Sequence, residues 1–181
     1  MSDEIRNEGW HRYYEEKPFF PADQVKKTLE NFLDYAGYKV TAPKPIGFML
    51  PDVSAARVHD GKKYEMIIMV RDGLNHAIEA FRQLAAAKCF KKNSIDYILA
   101  LPPVSEHYII EFLIEKEEWF FPLKDHLFQI WLINPEKETV DCLFGWPQDD
   151  EFKHYFSNPR LAGFATYIAN KANEKLMEED F

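Results

Sequence analysis

Long apolar stretches, cysteines and clustered glycines are scarce in this sequence of 181 residues. No run approaches the roughly 18 apolar residues that a membrane-spanning helix needs, and the first six residues lack the charged-then-apolar pattern of a signal peptide. Two cysteines, Cys89 and Cys142, make no disulfide framework, and we interpret both as buried small hydrophobes. We therefore expect a cytoplasmic protein with no membrane partner.

Several signatures of catalytic and binding sites are also missing. The seven glycines are scattered and form no phosphate-binding loop, and the six histidines have no zinc-like spacing with the cysteines. No Ser-His-Asp arrangement is visible, and there is no internal repeat or low-complexity tract. The candidates that remain are acidic and basic side chains on predicted strands.

The net charge of −8 disfavours indiscriminate binding to nucleic acid, but the charge is unevenly distributed. Between Arg57 and Lys92, eight Lys and Arg residues face four acidic ones, so that segment carries +4 and the remainder −12. This asymmetry predicts either a phosphate-facing surface or ordinary decoration of helices and turns. The candidate nucleic-acid-binding residues are Lys62, Lys63, Arg82 and Lys88.

Apolar residues make up 46% of the chain, enough for a core, and their spacing predicts an α/β domain around a mixed sheet. Residues 1–20 read as an aromatic N-terminal arm, and 21–181 as one domain with a core (21–103) and a C-terminal extension (104–181). The predicted order is helix, three strands, helix, strand, helix, two strands, helix. Their predicted positions are a helix over Pro21–Ala36, strands at Tyr38–Thr41, Ile46–Val58 and Lys63–Val70, a helix capped by Asn75, a strand at Ile95–Leu101, a helix capped by Ser105, strands at Leu127–Ile133 and Thr139–Phe144, and a helix after Asn158-Pro159.

Asp60-Gly61 predicts a tight hairpin between the second and third strands, because a type I′ turn needs positive φ at both central residues. His59 then faces Lys62, and the same register places Asp52 opposite Met69. Arg71 lies on the face of the third strand that carries Met69. The hairpin therefore predicts a carboxylate and a guanidinium meeting around a methionine.

The element order, with Pro51-Asp52 in the second strand and Met69-Val70-Arg71 ending the third, resembles the restriction-endonuclease-like nucleases of the PD-(D/E)xK group. The resemblance covers about Pro21 to Pro103 and implies a core of helix, three-strand antiparallel meander, crossover helix and fourth strand. In that family two carboxylates hold Mg²⁺, and a lysine positions the attacking water or the phosphate.

Carried onto this chain, the resemblance makes Asp52 the metal ligand, if any metal binds, and puts Arg71 where the lysine belongs. Met69 stands in place of the second carboxylate, and a thioether is a poor ligand for Mg²⁺. Some members use a helical glutamate, which would be Glu30 here. Glu65 shares the face of Met69 but lies about 13 Å away along the strand. Asp52 can instead be a strand-end residue bonded to nearby backbone or to Arg71.

Three functions follow, and no cofactor is expected unless the site is active, in which case it is Mg²⁺. The first is a nuclease-like domain with a degraded metal site that binds nucleic acid or a protein. The second is an active nuclease in which Glu30 or Glu65 supplies the displaced carboxylate. The third is a structural or oligomerising protein of the same fold, so the sequence also leaves a homo-oligomer open.

Overall fold

In the part of the chain that the structure describes, the apolar residues form a six-stranded mixed sheet with one helix packed against each face. The computed structural model describes residues 20–90, 95–103, 128–145, 147–156 and 177. The elements are α1 (Ala22–Tyr35), β1 (Lys39–Thr41), β2 (Val53–His59), β3 (Lys62–Val70), α2 (Ala77–Phe90), β4 (Ile95–Leu101), β5 (Phe128–Asn134) and β6 (Thr139–Phe144), with 3₁₀ turns at Leu74–His76 and Phe152–Tyr155.

The strands lie side by side in chain order, β1 to β6. β1, β2 and β3 form an antiparallel meander, β3, β4 and β5 run parallel, and β6 returns antiparallel to β5. A parallel neighbour requires a crossover connection, which α2 supplies between β3 and β4. The predicted meander, crossover helix and second hairpin are confirmed.

The Asp60-Gly61 turn has the conformation that the sequence predicts. Asp60 has φ of 49° and Gly61 of 75°, as a type I′ turn requires. The ladder pairs His59 with Lys62 and continues in register to Val53 opposite Ile68. One turn therefore sets which side chains of β2 and β3 share a face.

The predicted start of the second strand, near Ile46, is wrong, because β2 begins at Val53. Ile46 and Met49 instead bond each other through reciprocal backbone hydrogen bonds of 2.8 and 3.0 Å, which closes a tight turn. Gly47 adopts φ of 59° in this turn. The chain reverses here because the Ile46 and Met49 side chains are both buried, while the two residues between them reach solvent.

The two faces of the sheet are buried by different helices. Val25, Leu29 and Leu33 of α1 are fully buried against one face, as their helical spacing predicts. Alternate strand residues supply that face, and the intervening residues pack against α2 on the other. The central strand β4 is buried along its whole length because it is covered from both sides.

The helix predicted to be capped by Asn75 begins later, since Asn75 lies within the 3₁₀ turn Leu74–His76 and α2 starts at Ala77. Three predicted features fall outside the described residues: the arm before Phe20, the helix capped by Ser105 and the helix after Asn158-Pro159. In the described part of the chain, no helix is long and apolar enough to cross a membrane.

Replacing Gly145 by alanine should destabilise the fold by about 3 kcal/mol. A Cβ there would lie 2.3 Å from the Phe128 carbonyl oxygen, and φ is +82°. Gly61→Ala is the matched control, because φ is +75° but nothing lies within 4 Å of the added carbon, so only about 1 kcal/mol should be lost. Urea unfolding of both variants measures the difference, and equal losses would contradict the close approach at Gly145.

Candidate functional site

The predicted site lies where β2 begins and β3 ends, but Asp52 does not pair with Met69 as expected. The regular ladder stops at Val53 opposite Ile68, and the Asp52 N–H donates to the Ile68 carbonyl at 3.1 Å. The expected register is therefore confirmed up to Val53 and ends one residue before the predicted pair.

The Asp52 carboxylate extends the ladder in place of a backbone carbonyl. Its Oδ2 accepts the Val70 N–H at 2.8 Å and Arg71 Nη1 at 2.9 Å. Arg71 Nη1 also donates to the Val70 carbonyl at 2.7 Å. Asp52 thus makes the bonds to nearby backbone and to Arg71 that one of the two interpretations of this residue expects.

The Met69 side chain is buried in the hydrophobic core. It is only 2% exposed and belongs to the apolar cluster beneath α2. A soft, neutral thioether offers little to a hard cation that prefers oxygen ligands. The position at which the resemblance expects a second carboxylate is thus occupied by a buried apolar side chain.

The other carboxylates that could replace it have other partners or locations. Glu65 pairs with Lys63 at 2.9 Å, and the ladder puts it opposite Ala56, four positions from Asp52. Glu30 lies on α1, which packs against the other face of the sheet, and no hydrogen bond or ion pair links it to Asp52. Within residues 20–90, 95–103, 128–145 and 147–156, no three His, Cys, Asp or Glu side chains are grouped to hold a metal.

The four predicted nucleic-acid-binding residues do not gather around Asp52 and Arg71. Lys62 and Lys63 lie at the hairpin turn, and Lys63 is eight residues from Arg71, about 26 Å along β3. The Lys62 ammonium lies 5.1 Å from the centroid of the Tyr64 ring. The Lys88 ammonium lies 5.2 Å from the centroid of the Phe128 ring. Arg82 is exposed on α2. Lys62 and Lys63 therefore lie at the end of β3 that is farthest from Arg71.

Sequence reasoning missed a buried polar cluster at the opposite end of the sheet, centred on Asp149. This carboxylate is 1% exposed and receives both Nε and Nη2 of Arg57, the latter at 2.8 Å. The Tyr38 hydroxyl donates to it at 2.9 Å and the Phe152 N–H at 3.3 Å. The loop after β6 is thereby fastened to β2 and to the residue that precedes β1.

Burial and ion pairing act in opposite directions on the Asp149 carboxyl. Burial raises its pKa, but the hydrogen bonds from Arg57 and Tyr38 outweigh burial, so the pKa is lowered overall. Burial and the bond to Asp149 raise the pKa of Tyr38. The hydrogen bond to Asp149 likewise raises the pKa of Arg57. The cluster therefore contains an ion pair between Arg57 and Asp149.

Asp96 on β4 lies under the same loop and is also 1% exposed. Gln148 donates to it from its backbone N–H at 3.3 Å and from Nε2 at 3.4 Å. Burial raises the pKa of Asp96 to about 7 in spite of these bonds. A carboxyl inside an otherwise apolar strand was the one available signal for this cluster, whereas Asp149, in a run of acidic residues, resembles a surface residue.

The two cysteines were predicted to be buried small hydrophobes, and for Cys142 this is confirmed. Its side chain is 8% exposed on β6, and burial raises the pKa of the thiol, which makes it a poor nucleophile. The side chain of Cys89 lies outside what the structure describes.

Comparison with known protein families and with curated sequences identifies no relative. No model of a known protein family matches the chain, and no curated protein matches its sequence at a significant level. The function must therefore be argued from the two groups of polar side chains just described and from the surface around them.

Removing the Asp52 side chain should lower the stability of the fold. Asp52→Ala leaves the Val70 N–H without its acceptor and Arg71 without its ion-pair partner, so we expect a loss of about 1–3 kcal/mol in urea unfolding. Asp52→Asn keeps an acceptor and should lose less. Asp34→Ala, an exposed acid on α1, is the control and should change stability by less than about 0.5 kcal/mol. An Asp52→Ala variant as stable as this control would refute the stabilising role of these two bonds.

Asp96 should make stability fall as pH rises. Its pKa of about 7 in the folded chain exceeds the ordinary value of an aspartate. The stabilisation that Asp96 gives the fold is therefore complete below about pH 4 and is lost as pH rises through 7. Asp96→Asn removes this dependence of stability on pH. The free energy of unfolding of the variant minus that of wild type should therefore increase between pH 4.5 and 8, by at most about 4 kcal/mol. Urea unfolding across this range measures it, and a difference that does not change with pH would contradict the assignment.

Proposed function

We propose that this chain is a restriction-endonuclease-like domain that has lost metal-dependent cleavage and now acts as a binding module. The order of elements supports the architecture. A helix, a three-strand meander, a crossover helix and a parallel fourth strand follow one another as in the PD-(D/E)xK core. In this proposal β5 and β6 are additions that widen the sheet.

The contact between Arg71 and Asp52 supports the loss of catalysis most directly. A guanidinium nitrogen lies 2.9 Å from the oxygen that would bind the metal, and its positive charge opposes a divalent cation there. The same oxygen accepts the Val70 N–H. Met69 is buried where a second acid would be needed, and the described residues form no group of three His, Cys, Asp or Glu side chains that could replace the water ligands of Mg²⁺.

The displaced-carboxylate alternative has less support than the binding module. Glu65 is paired with Lys63, and Glu30 makes no described contact with Asp52. The structural or oligomerising alternative would use the exposed apolar turn at Phe48 and Leu50 only for contact with another copy of the chain. That turn favours binding, because a well-placed exposed aromatic is a common anchor of protein interfaces.

Cleavage and metal binding provide the test. The purified chain should show no binding heat with Mg²⁺ or Mn²⁺ at millimolar concentration and no cutting of single- or double-stranded DNA or RNA. The reason is the Asp52–Arg71 contact, which places a cation where the metal would bind.

Asp52→Asn serves as the matched control, because it removes the charge and keeps the shape. Metal-dependent cutting by the wild-type chain that disappears in Asp52→Asn would overturn the proposal. Cutting that survives in Asp52→Asn would be assigned to a contaminating nuclease and would leave the binding module in place.

A further inference from the structure

A cleft of about 410 Å³ opens on the face of β1, β2 and β3 that points away from α1. Its volume falls in the range of about 300–1,000 Å³ that is usual for ligand sites. The cleft exists because Ser54 and Ala56 of β2 have small side chains, which leave space above this face of the sheet. Their neighbours Val53 and Ala55 pack toward α1 on the other face. Ile67 and Ile95 supply apolar lining.

Polar groups around the cleft carry a small positive charge. Its lining contains two lysines, Lys44 and Lys63, and one acid, Glu65, which gives a net charge of +1 in a chain that carries −8 overall. Lys63 is paired with Glu65 at 2.9 Å, so the ammonium of Lys44 accounts for this excess. The Ser54 side chain adds a hydroxyl group that can donate a hydrogen bond, while the Thr41 hydroxyl donates to the Ser54 carbonyl oxygen at 3.5 Å.

An apolar turn adjoins this cleft. Ile46 lines the cleft and forms one end of the Ile46–Met49 turn, whose two backbone bonds hold Phe48 at the tip. Phe48 is fully exposed and Leu50 is 60% exposed. Because buried Ile46 and Met49 anchor the turn in the core, the backbone beneath Phe48 is already ordered, which reduces the entropy cost of binding.

We propose that the cleft and this turn form a docking surface for an extended peptide segment of a protein partner. A carboxylate of the peptide pairs with Lys44, and an apolar side chain packs on Phe48 and Leu50. The inference rests on the proposed function, because it assumes that the domain binds rather than cuts. It adds the location of the surface and the chemistry of the partner.

Charge favours a peptide over nucleic acid at this surface. A nucleic-acid strand brings one negative charge for each phosphate, and it would meet Glu65 in the cleft and a net charge of −8 on the whole chain. A single carboxylate instead balances the net charge of the cleft. Apolar side chains of the peptide next to that carboxylate would cover the exposed Phe48 ring. A small anion would leave this ring in contact with water.

The test uses a random 12-residue peptide library displayed on phage and selected on the full chain. Enriched peptides should contain Asp or Glu next to aliphatic or aromatic residues. The strongest binder, made with a fluorescent label, should bind with a micromolar Kd in fluorescence polarisation. Lys44→Glu should weaken binding at least tenfold, and Phe48→Ser at least fivefold.

Two control variants match the charge and size of these changes on α1, on the opposite side of the sheet. Lys27→Glu and Tyr35→Ser alter exposed residues there and should leave the Kd within twofold. Because Lys44 and Phe48 are themselves exposed, their variants should fold, and equal unfolding midpoints verify this. Loss of binding in folded Lys44 and Phe48 variants alone would support the proposal.

Three results would overturn the docking surface. One is a selection without acidic peptides, or a Kd that Lys44→Glu changes by less than twofold. Another is a labelled 12-nucleotide strand that binds more tightly than the peptide and depends on Lys44, which would assign the cleft to nucleic acid. The third is a dimer in sedimentation that Phe48→Ser dissociates, which would assign the turn to a second copy. Metal titration and nuclease assays report on the proposed function separately, so the two failures are distinguishable.

Discussion

The register of β2 on β3 is the constraint on which the rest of the structure depends. Since side chains alternate along a strand, the turn at Asp60-Gly61 decides for every residue of both strands whether it faces α1 or α2. That choice buries Met69 beneath α2 and leaves Ser54 and Ala56 lining an open cleft. It also brings Asp52 to the end of the ladder, beside the Val70 N–H.

The two ends of the sheet use carboxylates differently. At one end Asp52 is partly exposed and completes backbone hydrogen bonding. At the other end Asp96 and Asp149 are buried beneath the loop that follows β6. The stabilisation of the fold by Asp149 is lost as pH falls, because the pKa of its carboxyl is lowered. The stabilisation by Asp96 is lost as pH rises, because its pKa is raised. The loop is thus held by one charged carboxylate and by one that is readily protonated.

Under the proposed function, this domain keeps a nuclease-like arrangement without a metal site and uses other surfaces for binding. The sheet, with α1 and α2 packed against it, provides a rigid support whose surface residues would then recognise a partner. Phe48 and Lys44 lie on the connection between β1 and β2, ahead of Asp52. The proposed docking surface therefore includes the connection that leads into β2, and its cleft depends on the same β2–β3 register.

The sequence by itself determined the α1 stripe, the Asp60-Gly61 turn, the meander, the crossover and the hairpin of β5 and β6, because each depends on local periodicity or turn chemistry. It also placed Asp52 and Arg71 close together. Only the tertiary structure decided that Asp52 bonds the Val70 N–H, and that the chain reverses at Ile46–Met49 instead of continuing as a strand. It alone joined Arg57 to Asp149, 92 residues away. Such contacts depend on how distant segments pack, and local residue preferences carry no information about that packing.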